Sequence, residues 1–229
     1  MPPQPLPVAL DASLIAIAIS LVSTSPRPER KKSPAKTAAI LESAMSEFLA
    51  NGYASTSMDR IAASAGVSKA TVYSHFQDKS SLFSAIIQHL ANESFQTIFE
   101  PDGEQPLQGD PHRVLKELAQ KILTKAEHNP RGCEFMRLII GESGRFPELA
   151  QPYVTSVAKP LLENLTGYFQ TYPELNIRDP EATARVFVGT LVYFVMVQQI
   201  LGGETIIPIE RKRIVTTLVN LIIPNCSVL

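Results

Sequence analysis

From Pro34 onward the apolar positions recur every three or four residues, and the chain reads as one helix after another. Ile40, Leu41, Ala44, Met45, Phe48 and Leu49 form a stripe over about five turns at 3.6 residues per turn. Ser33 is placed to cap this helix, with Pro34 at its first position, and Gly52 in Asn51–Gly52–Tyr53 suits a left-handed stop. A second helix starts after Ser57, carries Asp59 in its first turn and turns Met58, Ile61, Ala62 and Ala65 inward. Gly66 permits a tight turn, and Ser68 opens a third helix. A fourth starts near Asp78 and runs to about Phe99, with Leu82, Phe83, Ile86, Ile87, Leu90, Phe95 and Phe99 on one face.

The third helix, within GVSKATVYSHF (66–76), has an uneven division of faces. At about 100° per residue, Val72 and Phe76 share the inward side. Ala70, Thr71 and Ser74 lie opposite, with Lys69 and Tyr73 on one flank and His75 on the other. Ala62 lets the second and third helices cross closely, Gly66 makes the connection, and Val72 fills the angle between them. Two short helices so joined are a helix-turn-helix. The outward face is small and polar, with a cation, a phenol and an imidazole at its border. It matches an object with hydrogen-bonding edges and negative charge, which describes double-stranded DNA.

The remaining pattern predicts helices near 112–127, 132–142, 148–171, 180–201 and 208–223, with Pro152 and Pro160 kinking or interrupting the third. No alternating strand pattern of useful length and no internal repeat occurs. Val186–Leu201 is apolar on nearly every side, but it is short for a membrane span and contains Gln198 and Gln199. Such a helix is buried on all sides, by its own core or by another subunit; with the helix near 208–223 it suits a four-helix interface in a homodimer, the alternative being that both are core helices of a monomer.

Composition changes this picture little, and the placement of charge changes it more. The 229 residues carry a net charge of −1, so bulk charge gives no sign of nucleic acid. Residues 27–90 hold eight Lys/Arg against five Asp/Glu, whereas 91–229 hold thirteen against sixteen. A mildly basic front on a mildly acidic body fits a DNA-reading head on a separate body. Cys133 and Cys226 form neither a disulfide framework nor a metal-spaced pair, which points to a reducing cytoplasm. Residues 1–32 contain a nine-residue apolar run, 14–22, without a preceding Lys or Arg, followed by a basic Pro-rich stretch; they read as a poorly ordered extension rather than a signal peptide. His75, His89, His112 and His128 have no metal-ligand spacing, no phosphate-binding glycine loop occurs, and neither a cofactor nor an enzyme is expected.

Residues 34–90, above all TSMDRIAASAGVSKATVYSHFQDKSSLF, resemble the DNA-binding domain of the tetracycline-repressor (TetR) family. The resemblance implies an all-α chain: an N-terminal three-helix helix-turn-helix DNA-binding domain (33–80) joined to a C-terminal helical effector-binding and dimerisation domain (81–229). It implies that Lys69, Ala70, Thr71 and Ser74 face the major groove, Lys69 reaching either a guanine edge or a phosphate, with phosphate contacts from Ser57, Arg60, Tyr73, His75 and Lys79. Ser68 belongs to the same DNA-binding face. It further implies a repressor released from a pseudo-palindromic operator by a small-molecule effector. Phe95, Phe99, Phe135, Met136, Leu138, Tyr153, Leu161, Tyr168 and Tyr193 are the candidate pocket wall, with Arg137 and Arg145 nearby for an amphiphilic or acidic effector. Two alternatives are an effector-independent architectural or division-associated DNA binder, and a small-molecule-binding protein whose head has lost its function.

Overall fold

The computed structural model describes residues 33–99 and 109–223, with side chains described for 33–93 and 109–223. The extension 1–32 and Cys226 lie outside the described residues. Every described element is helical. The first four are α1 (Pro34–Ser55), α2 (Met58–Ser64), α3 (Lys69–His75) and α4 (Lys79–Phe99). Next come α5 (Pro111–Glu127), α6 (Pro130–Glu142), α7 (Lys159–Thr171), α8 (Pro180–Val195) and α9 (Arg211–Ile222).

The starts follow local chemistry. Side-chain oxygens of Ser57, Ser68, Asp110, Asn129 and Asp179 each accept a backbone N–H at the start of α2, α3, α5, α6 and α8. A cap of this kind contributes about 1 kcal/mol. Asp78 and Ser81 cap α4 reciprocally: Ser81 N–H donates to Asp78 Oδ1 at 2.7 Å, and Asp78 N–H to Ser81 Oγ at 3.1 Å. Gly66, at φ +64°, makes the α2–α3 turn in the left-handed region.

Two predicted features take a different form. Gly52 has positive φ as expected, but φ 74°, ψ 169° lies outside the left-handed helical basin, in a region open essentially to glycine, and a further short turn follows it to Ser55. The prolines interrupt the α-helix over 148–171 as expected, but through a change of helix type with no break in the run of turns from Gln151 on. A 3₁₀ turn (Pro147–Leu149) and a short turn (Gln151–Tyr153) lead into a π-type turn (Val154–Ala158), which passes into α7. A wider turn accommodates Pro160, which has no N–H to donate.

Two cores result. The first joins Ile40, Ala44, Phe48, Ile61 and Val72 of the head to Leu82, Phe83, Ile86 and Ile87 of α4, and to Phe135 and Ile139 of α6. Its centre is aromatic: Phe83 stacks on Phe135 (centroids 4.8 Å apart) and meets Phe48 edge-on at 5.2 Å. Tyr53 packs against Phe146 at 5.0 Å. The second core lies among α5, α7, α8 and α9, around Leu115, Leu123, Leu165, Phe169, Phe187, Leu191 and Val219. Helix α6 connects the two regions. Arg131 pairs with Glu42 and donates to Ser46 of α1, while Arg137 donates to the carbonyls of Ile200 (2.8 Å) and Gln199 (3.0 Å).

Helix α8 continues through a π-type turn (Met196–Ile200), so the helix covers 180–200, 21 residues, in line with the predicted 180–201; the apolar run 186–201 is only its later part. By length and composition it passes as a membrane span, correcting the expectation that it is too short. Ala184, Phe187 and Leu191 are buried in the second core, whereas Val186, Val192 and Tyr193 are exposed.

Phe135→Ala should destabilise the protein by about 3–5 kcal/mol in urea titration, because a fully buried ring leaves a cavity beside Phe83. A loss under about 1 kcal/mol would mean that the ring lines a fluid pocket and is no part of the head's core.

Candidate nucleic-acid interface

Helix α3 has seven residues and holds its place through Val72, which is fully buried. Phe76 packs beside it, half-buried. Lys69, Ala70, Tyr73 and Ser74 are exposed, and Thr71 is half-buried. The start of the helix is tied by Ser68, whose Oγ accepts Thr71 N–H at 3.2 Å and lies 2.9 Å from Thr71 Oγ1. Ser74 Oγ donates to Thr71 O at 2.7 Å. Ser57 is likewise exposed and accepts Arg60 N–H at 3.3 Å. Lys69 Nζ pairs with Asp59 of α2 at 2.8 Å, and the ion pair holds its pKa above the usual lysine value.

Three predicted DNA-contact residues are engaged inside the head. Lys79 Nζ donates to the carbonyls of Tyr53 (2.7 Å), Thr56 (3.0 Å) and Ala54 (3.2 Å), and lies 4.4 Å from the Tyr53 ring centroid. An ammonium has three N–H donors, and here all three point at the chain leaving α1. Burial pushes its pKa down, against the pull of Glu142. Thr56, itself buried, donates from Oγ1 to the carbonyls of Gly52 (2.8 Å) and Glu47 (3.0 Å), so the end of α1 is satisfied by two side chains. Arg60 pairs with Glu47 at 3.3 Å and donates to Asn51 Oδ1 at 3.2 Å. His75 Nδ1 lies 3.0 Å from Thr37 Oγ1 of α1. None of these partners is adjacent in sequence, and spacing alone gave no sign of them.

The predicted pocket residues do not converge on one space. Phe135 is in the first core, Leu138 and Tyr153 pack against that core, and burial raises the Tyr153 pKa. Leu161 packs against the second core, and Tyr168 is buried within it. The Tyr168 hydroxyl has no hydrogen-bond partner among the described residues, and burial raises its pKa strongly. Met136 is half-buried, whereas Tyr193 is 60% exposed on α8 and faces outward from this chain. The side chains of Phe95 and Phe99 lie outside the described residues. A cleft of about 1000 Å³ sits elsewhere, between the α5–α6 junction and the end of α8; Cys133, Arg137, Phe194, Gln199 and Arg211 line it. Of its lining, Arg137 is the one residue the sequence associated with an effector, as a nearby cation. Leu138 lines a neighbouring cleft of about 540 Å³.

Fold and outward face define a helix-turn-helix DNA-binding regulator. The family described as "Bacterial regulatory proteins, tetR family" matches residues 40–86, and the one described as "AefR-like transcriptional repressor, C-terminal domain" matches 113–224. The chain belongs to the tetR family of transcriptional regulators.

The regulator AcrR of Shigella flexneri is 34% identical over 111 residues, 48% of this chain and 51% of its own. The chain thus matches about half the length of that relative. YvkB of Bacillus subtilis, an uncharacterised regulator, is 24% identical over 76% of this chain and 88% of its own. Among solved structures, a TetR-family regulator of Mesorhizobium loti shares the fold at TM-score 0.62 and 23% identity, covering 83% of this chain and 96% of its own. AibR, solved with isovaleryl coenzyme A and operator DNA, shares it at TM-score 0.57 and 21% identity, covering 82% and 98%.

Lys79→Met keeps the side-chain stem and removes the ammonium from three carbonyls. It should cost about 1–3 kcal/mol, lowering Tm by roughly 2–4 °C per kcal/mol in calorimetry without DNA. An unchanged Tm would show that the lysine is free for phosphate.

Proposed function

We propose that the chain is a homodimeric repressor, working in the cytoplasm, that reads a pseudo-palindromic operator with two α2–α3 heads and leaves it when a small molecule binds the body. The observation that carries this reading is the face of α3: Lys69, Ala70, Tyr73 and Ser74 are exposed, while Val72 is fully buried and fixes the helix. Lys69 suits guanine O6 or N7, the hydroxyls of Thr71 and Ser74 are permissive readers, and Ala70 suits a thymine methyl. Tyr73, Ser57 and Ser68 border that face and serve the phosphates. Arg60, His75 and Lys79 act first by holding the head's shape, through the contacts described above.

Two further features support the assembly. Val186 and Tyr193 of α8 and Leu221 of α9 are large apolar side chains exposed in a single chain, at 59%, 60% and 76%. A second copy packed on α8 and α9 would cover them in an isologous four-helix interface. This covering, rather than a bilayer, accounts for the apolar outer side of α8. Helix α6 meanwhile carries Arg137 in the large cleft and Phe135 in the head's core. An effector in the cleft that shifts α6 would move the seat of α4 and change the spacing of the two heads. Linkage then requires that DNA weaken effector binding by the same factor. AibR's acyl-coenzyme A ligand makes acyl-coenzyme A esters the first panel to screen.

Fluorescence anisotropy on duplexes tiled from beside the protein's own gene should find one pseudo-palindromic tile bound tightly, with an affinity that falls as salt rises. Lys69→Ala and Tyr73→Phe should each weaken it about tenfold, a loss of about 1.4 kcal/mol. Weak, uniform binding to all tiles would favour the architectural alternative. In sedimentation, wild type should be dimeric and Tyr193→Glu monomeric with its helicity intact; a monomeric wild type would contradict the assembly.

A further inference from the structure

The head's charge is balanced almost residue by residue. Residues 34–90 contain four Lys/Arg and four Asp/Glu. The three cations between residues 58 and 80 are each engaged by the protein: Arg60 with Glu47 and Asn51, Lys79 with three carbonyls, Lys69 with Asp59. The last pair lies on the reading face itself. Lys69 is the first residue of α3 and Asp59 the second of α2, so the contact bridges the motif's two helices. Nζ lies 2.8 Å from Oδ1 and 2.9 Å from Oδ2, and the two side chains are 60% and 61% exposed. The Tyr73 ring, 5.9 Å from Nζ, flanks the ammonium on the α3 side. An ion pair this exposed contributes little to stability, so fold maintenance is a weak reason for a carboxylate at this position.

We propose that Asp59 is a specificity-determining residue that acts through Lys69. It keeps the leading ammonium of α3 from serving as a general phosphate contact, and so lowers affinity for bulk DNA more than for the operator. This inference rests on the DNA-reading function proposed above.

The physical case has two halves. Non-specific binding is almost wholly phosphate electrostatics, and B-DNA carries one charge per about 1.7 Å of axis. A free ammonium there would add one neutralised phosphate per head, whereas the pair is neutral and its carboxylate repels phosphate. At the operator the balance differs. An ammonium has three N–H donors, so Lys69 keeps one for a base acceptor while bonded to Asp59. The paired carboxylate also limits where the long lysine stem can swing. The penalty therefore falls mainly on duplexes that offer Lys69 phosphate alone.

The test compares wild type, Asp59→Asn, Lys69→Ala and the double variant, as full chains, on the operator duplex and on a random duplex of equal length over a salt series. Asp59→Asn should bind the random duplex about 3–10-fold tighter, with a log–log salt slope steeper by about one per head. Its operator affinity should rise less, so the specificity ratio falls. In the Lys69→Ala background, Asp59→Asn should change random-duplex binding by less than about twofold. An equal gain in both backgrounds would show that the carboxylate acts on phosphates alone and would overturn the route through Lys69. Lost operator affinity with no gain on the random duplex would make Asp59 a base contact or a scaffold, and would overturn the inference as well.

A DNA-free arm reads the pair directly. Acetic anhydride pulse labelling, followed by peptide mass spectrometry, should modify Lys69 severalfold faster in Asp59→Asn. An unchanged rate overturns the inference whatever the DNA result. Absence of wild-type binding to any duplex at any salt would overturn the proposed function and this inference with it, whereas the other contrary outcomes overturn the inference alone.

Discussion

A seven-residue helix has too few hydrogen bonds to offset its own nucleation cost in water, and most of the stability of so short a helix must come from packing. Helix α3 is such a helix, and the rest of the head follows from holding it. Val72 anchors it in the first core, Ser68 caps it, and Gly66 sets its angle to α2. That core does not close within the head. Phe83 of α4 is completed by Phe135 of α6, so the reading helix rests on a residue about sixty positions further along the chain. The same helix α6 is latched to the end of α8 through Arg137. A movement in the body therefore has a packed route to α3, and a packed route transmits displacement because interiors yield little.

Electrostatics in the head serve construction before they serve binding. Lys79 and Thr56 satisfy carbonyls where α1 ends, Arg60 ties α2 to Glu47 and Asn51, and Lys69 is balanced by Asp59. The excess positive charge seen in the sequence of 27–90 comes from Arg27, Arg30, Lys31 and Lys32, outside the described residues. On the outward face of α3 the one lysine, Lys69, is the cation paired with Asp59.

Much of this was legible in the sequence because its signals are local. Caps at Ser57, Ser68 and Asp78, the apolar stripe from Ile40 to Leu49 and the inward Val72 each depend on neighbours within one turn, and the helices formed accordingly. Uses that depend on distant partners were not legible. Nothing near Lys79 shows that the end of α1, some 25 residues earlier, will arrive at its ammonium. Phe135 and Tyr193 are both aromatic residues on helices, and only the packing separates a core ring from an exposed one. The extent of helix α8 was legible, since the pattern predicts 180–201 and the helix with its π-type turn covers 180–200; the π-type turn at Met196–Ile200 was not.

The central claim is that head and α6 form one cooperative unit. Native-state hydrogen exchange across a urea series, read by NMR or peptide mass spectrometry, tests it most directly. The account predicts that the slowest amides of α1, α4 and α6 converge on a common opening free energy and urea slope. Opening of residues 34–90 at a distinctly lower free energy, with α6 still protected, would show that the head folds and moves independently of the body, and would contradict the account.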